Sequence, residues 1–137
     1  MKAPRESDLV RAVLAYLHLR GFHAWRNNTL GIYDAARGVY RTTQGGQKGA
    51  SDILGVIPAR VCPALAGVAL AIEVKMPARK PSVEQVEFLD AVNRADGLGF
   101  CVSSIEQLEA SLRAEGVFDP PNAGGSKSGL LAIAVEY

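Results

Sequence analysis

Residues 51–85 read "SDILGVIPARVCPALAGVALAIEVKMPARKPSVEQ". Two apolar runs, "DILGVIP" and "GVALAIEVK", are joined by "ARVCPALA". Both have strand character, and Pro58 ends the first because proline has no N–H to give a sheet ladder. The second run has two unlike faces at a spacing of two residues. Val68, Leu70, Ile72 and Val74 share one face; Ala69, Ala71, Glu73 and Lys75 share the other. Glu73 and Lys75 therefore point the same way, beside two alanines that leave room above them. Symmetric closure of an antiparallel pair sets Pro58 against Gly67 and hence Asp52 against Glu73. A slip of two residues would separate the acids.

Two carboxylates held close repel each other, and burial raises their pKa values. A cation relieves both effects. Oxygen ligands of this kind suit magnesium or manganese, which keep several waters and also bind substrate phosphate. A lysine alongside can orient a water molecule and stabilise charge on a phosphoryl centre under attack. An E-x-K triplet alone is commonplace and is usually a solvated pair on an edge strand. The acid at the head of the neighbouring strand is what gives this one meaning.

Gln85 begins an i, i+3, i+4, i+7 series with Phe88, Leu89 and Val92, on the inner face of a helix opened by Ser82. Ser82 and Gln85 have the spacing of a capping box. Ser104 and Gln107 repeat it where no chemistry is evident. Upstream, Leu9, Val10, Val13, Leu14 and Leu17 mark a helix that follows Pro4 and stops at Gly21. Glu6 falls on the same face, where an acid also suits the helix dipole. "FHAWRNN" reads as a strand with Phe22 and Trp25 as its apolar members. Ile32–Tyr33 and Val39–Tyr40 can pair as a hairpin around "DAARG". "TTQGGQKGAS" is a glycine-rich loop expected over the site.

After the Ser82 helix, "GFCVS" is a buried strand in which Cys101 is expected to be a small core residue. A helix over 104–115 follows. "FDPPNAGGSKSG" is a connector, and "LLAIAVEY" is a final strand that could pair with a second copy. The order predicts an α/β domain with a mixed central sheet flanked by helices.

The 137 residues fit one domain, and 48% hydrophobic with 21% charged residues is ordinary for a globular protein. No apolar run reaches the roughly 20 residues that span a bilayer. "MKAPRESD" has no apolar segment of a signal peptide, and two cysteines make no disulfide framework. A reducing, cytoplasmic setting without membrane attachment is expected. A net charge of +1 gives no strong global field. The cations Arg26, Arg37, Arg41, Lys48, Lys75, Arg79 and Lys80 nevertheless lie before or within the quoted stretch, in the N-terminal and middle parts of the chain, and most acids come later.

"GASDILGVI" and "AIEVKMPARKPSVEQVEFLDAV" resemble the PD-(D/E)xK nuclease superfamily, and within it the virus-type replication–repair nuclease (VRR-NUC) domain. The resemblance runs from "ESDLVRAVLAYLHLRGFHAWRNNT" to the helix after "CVSS". It implies a restriction-endonuclease-like core and a Mg2+- or Mn2+-dependent endonuclease. Glu6, Asp52, Glu73 and the backbone carbonyl of Val74 would hold metal. Lys75 would assist the nucleophilic water, and Gln85 would steady the lysine or the scissile phosphate. Small stand-alone members look like Holliday-junction resolvases, which implies branched DNA as partner, a two-fold homodimer, and the cytoplasm of a bacterial or phage-infected cell. Arg26, Lys48, Arg79 and Lys80 would contact DNA phosphates. Ser51 stands where the superfamily's name has proline, and the tail over 117–137 is an extension outside the resemblance. The rival expectation is a nuclease-like fold kept for DNA binding or assembly without catalysis. A third, an unrelated α/β binding protein, leaves the charged groups of the quoted stretch unexplained.

Overall fold

The register that symmetric turn closure predicts is the one the chain adopts. β4 (Ile53–Val56) pairs antiparallel with β5 (Ala69–Val74), Ile53 opposite Ile72 and Val56 opposite Ala69. One step further, the same register sets Asp52 opposite Glu73. At the other end Gly67 N–H donates to the Ile57 carbonyl at 2.8 Å, and Ile57 N–H to the Val68 carbonyl at 3.0 Å. The connection holds one 3-10 turn, Pro63–Leu65, and buries Cys62 and Leu65. The computed structural model describes residues 2–27, 32–41 and 47–118. The expected strand "LLAIAVEY" and its connector after Phe118 lie outside them.

β1 (His23–Arg26) joins the open edge of β4 in antiparallel sense, and β6 (Leu98–Val102) runs parallel to β5, giving the order β1-β4-β5-β6. The sheet is mixed and the fold is α/β. A parallel neighbour needs a crossover, here α2 (Val83–Arg94). α1 (Glu6–Leu19) and α3 (Ile105–Ala114) pack on one face of the sheet. Val10, Val13 and Leu17 of α1 and Leu108 and Leu112 of α3 meet Ile53, Leu70, Ile72, Val74 and Val102 there. Each such side chain contributes about 1.5–3 kcal/mol on burial. Val117 is wholly buried in the same core, and the Phe118 ring meets Phe22 edge-on at 5.9 Å.

α2 covers β5 and β6 on the opposite face. It lies close because that face is built of small residues: a Cβ on Gly99 would stand 3.0 Å from the Leu89 backbone oxygen. The room above the alanines is thus partly taken by protein, and Ala71 is buried. One expectation is corrected by strand alternation. Cys101 follows the inward Phe100 and turns to the α2 face at the sheet edge, where it is exposed rather than buried. In β1 the inward residue is Ala24, with Phe22 just ahead of it. Trp25 points the other way, 44% exposed, its ring 5.5 Å from that of His23.

The expected hairpin forms a second, two-stranded sheet: β2 (Ile32–Asp34) against β3 (Val39–Arg41), with Tyr33 opposite Tyr40.

Candidate active site

The β4–β5 ladder comes apart at the Asp52 end. Ser51 would be the next residue to bond Val74, but its carbonyl accepts instead from the Asn27 side-chain amide at 3.3 Å, while Asn27 N–H donates to the Asp52 carbonyl at 2.7 Å. The start of β4 is thus drawn towards the end of β1. The vacated Val74 N–H is capped by the Asp52 carboxylate, N to Oδ2, at 2.9 Å. A strand residue turns its N–H and C=O to the same side. The Val74 carbonyl therefore faces the same opening as Asp52.

Glu73 stands beside it with 2% of its surface exposed. Gln85 Nε2 donates to Glu73 Oε1 at 2.7 Å, and Lys75 Nζ lies 3.8 Å from the same oxygen. Glu73 Oε2 is buried without a hydrogen-bond partner. Burial, and then the negative charge of Asp52, push the Glu73 carboxyl up to about 8, with Lys75 offsetting only part.

Gln85 meets two demands with the two ends of one amide. Its Oε1 accepts from Ser82 N–H at 2.8 Å, and its own N–H donates to Ser82 Oγ at 3.2 Å, which completes the capping box. That bond orients the amide and leaves Nε2 for Glu73. The helix cap and the site contact are compatible, and the first holds the second in place.

Glu6 opens α1 and is partly buried. Among the described residues it makes no hydrogen bond or ion pair with Asp52, Glu73, Lys75 or Gln85. The Cys101 thiol, whose residue pairs with Glu73 across β5 and β6, is raised first by partial burial and next by Glu73. Asp52 and Glu6 raise it further and Lys75 opposes them, so all four charges act on one point of the sheet. No group of three His, Cys, Asp or Glu side chains converges to hold an ion among the described residues. The oxygen donors brought together are the two carboxylates of Asp52 and Glu73 and the Val74 carbonyl.

The four expected phosphate contacts border this end of the sheet. Arg26, exposed, ends β1 opposite Ile53. Lys48 Nζ is 3.3 Å from Glu84 Oε1 in the first turn of α2. Gly49 keeps that loop on the helix: its φ is +81°, and a Cβ there would fall 2.4 Å from the Glu84 carbonyl oxygen. Arg79 and Lys80 are exposed between Lys75 and Ser82, after a turn closed by Arg79 N–H on the Met76 carbonyl at 3.0 Å. Ala78 sits in that turn at φ +71°, a conformation that favours glycine.

Sequence reasoning gave Asn27 no assigned role, and here it opens the ladder. It passed over the Ser51 hydroxyl, which is wholly buried with no hydrogen-bond partner next to Asp52. His18 Nε2 donates to the Ala24 carbonyl at 2.7 Å, and the His23 ring lies tilted against that of Trp25. A hollow of about 830 Å3 lies elsewhere, between Gly67, Val68, Leu98 and Phe100. Comparison with protein-family models, with curated proteins and with solved structures found no match.

Proposed function

We propose that this chain is a divalent-metal-dependent endonuclease with a restriction-endonuclease-like core, hydrolysing phosphodiester bonds in branched DNA as a Holliday-junction resolvase does. One observation carries the reading: a buried Glu73 carboxyl with an unpartnered Oε2, one strand from Asp52 and flanked by Lys75 and Gln85. Burying an acid beside another acid is unfavourable unless something compensates. A hard cation held by Asp52, Glu73 and the Val74 carbonyl, with Glu6 nearby, is that compensation, and the all-oxygen donor set fits magnesium or manganese.

When bound, the cation would acidify a water molecule and draw charge from the scissile phosphate. Glu73 would hold it through its carboxylate. Gln85 Nε2 keeps Glu73 Oε1 in place and leaves Oε2 for the cation. Lys75, at the edge of the site, would orient the attacking water and stabilise charge on the phosphate oxygens. Asp52 stays aimed because Val74 N–H grips one of its oxygens. Arg26, Lys48, Arg79 and Lys80 would hold the flanking phosphates. A two-fold pair of chains would present two such sites to the two like strands of a junction. No helix among the described residues is long and apolar enough to cross a membrane.

The test is cleavage of labelled four-way junction, flap and linear duplex with Mg2+ or Mn2+, for the wild type and for Glu73→Ala and Lys75→Ala. Metal-dependent cutting of a branched substrate, lost in both variants, supports the reading. DNA binding with no cutting by the folded wild type would make this a binding module instead.

A further inference from the structure

We infer that the β2–β3 hairpin is the element that recognises a branch point, by stacking Tyr33 and Tyr40 on bases exposed where duplex pairing stops. The inference rests on reading the site as that of a nuclease. A free two-stranded hairpin is marginal in water, and this one is held by a cross-strand aromatic pair with ring centroids 5.1 Å apart. Pairing does not hide the rings: Tyr33 remains 55% and Tyr40 74% exposed. The tip is ordered by its own bonds. Asp34 Oδ1 accepts from Ala36 N–H at 3.0 Å, and the Asp34 carbonyl from Gly38 N–H at 2.8 Å. Arg37 stands on that tip with 69% of its side chain exposed.

Charge indicates what the rings are exposed to. Between residues 26 and 50 the sequence has four cations, Arg26, Arg37, Arg41 and Lys48, and one acid, Asp34, a local excess of three in a chain whose net charge is +1. Such a segment is drawn to a polyanion. Attachment indicates where it acts. The excursion from β1 to β4 leaves at Asn27 and returns at Asp52, and those two residues are joined by a 2.7 Å backbone hydrogen bond. The hairpin is therefore tethered at the carboxylates.

Exposed aromatics on a basic arm bind the faces of unstacked bases, whatever the sequence. A continuous duplex hides those faces; a junction offers them. The hairpin thus confers preference for branched over continuous DNA, while the phosphate contacts serve both.

The experiment measures Kd in EDTA, without cleavage, for a four-way junction and a linear duplex of the same sequence. It compares the wild type, Tyr33→Phe/Tyr40→Phe, and Tyr33→Val/Tyr40→Val. Valine keeps the strands paired while removing the rings. The valine pair is expected to bind the junction about tenfold to a hundredfold more weakly, with duplex binding unchanged; the phenylalanine pair should retain the preference. Unchanged junction binding by the valine pair, or equal loss on both substrates, overturns the inference. So does conversion of a dimer to a monomer by valine in sedimentation, which would make the hairpin a contact between copies. Binding that depends on the rings in a protein that never cuts DNA would leave the hairpin's role standing and sink the nuclease. A wild type that binds neither DNA sinks both.

Discussion

α2 and α3 begin with almost the same four residues, Ser82-Val83-Glu84-Gln85 and Ser104-Ile105-Glu106-Gln107. The local chemistry is the same: each serine Oγ accepts the glutamine's N–H, at 3.2 Å and 3.1 Å. The outcomes differ. Gln85 bonds its own cap with Oε1 and reaches Glu73 with Nε2, whereas Gln107 Oε1 accepts from Ser103 N–H in an exposed position. A capping motif announces a helix start and nothing more. What the glutamine does next depends on the strand beneath it, and only β5 carries a buried acid there.

The comparison breaks most severely if that acid is removed. Glu73→Ala should lower metal-dependent cleavage about a thousandfold or more, read as single-turnover rate on a junction. A change below tenfold would show that nothing beneath α2 is catalytic.

Glu73 also leaves a mark on folding. Its carboxyl rises from 4.5 unfolded to about 8 folded. Between those values the unfolded chain has released a proton that the native state keeps, so raising pH favours unfolding. Metal-free stability should fall by up to about 1.4 kcal/mol per pH unit across that window. Glu73→Gln should remove this component of the slope in urea titrations at pH 5, 6, 7 and 8. Parallel wild-type and variant curves would mean that Glu73 titrates as an ordinary acid.

Gln85→Ala should reduce cleavage or metal affinity about tenfold to a hundredfold, as loss of a group that orients a ligand does. Gln107→Ala should leave both unchanged. Equal effects would erase the distinction between the helices. The smallest difference is expected at the caps: Ser82→Ala and Ser104→Ala should each cost about 1 kcal/mol of stability, measured by urea denaturation.

The strand pairing was legible because two apolar runs of definite alternation end at Pro58 and Gly67, and one turn closes them symmetrically. That register alone brings Asp52 to Glu73. The helix stripes of α1 and α3 were equally plain. Asn27 was not, since its effect depends on Ser51 and Asp52, some 25 positions away. Cys101 misled because an apolar run does not say that alternation turns this residue away from the core, at the open edge of the sheet. The grip of Val74 N–H on Asp52 was hidden for a similar reason: the ladder must first open before a side chain can cap it.

The pairing of Asp52 with Glu73 also sets where this chain can change length during evolution. Extra residues between Asp52 and Ile57, or a deletion there, would turn one of the two acids to the opposite face of the sheet or set it out of step with its partner. Insertions at the exposed Ala59–Arg60 bend enter a connection that lies beyond the paired strands and leave their alignment untouched. Descendants of this chain should therefore vary in length on the Pro58 side of β4 and hold a constant count of residues on the Asp52 side.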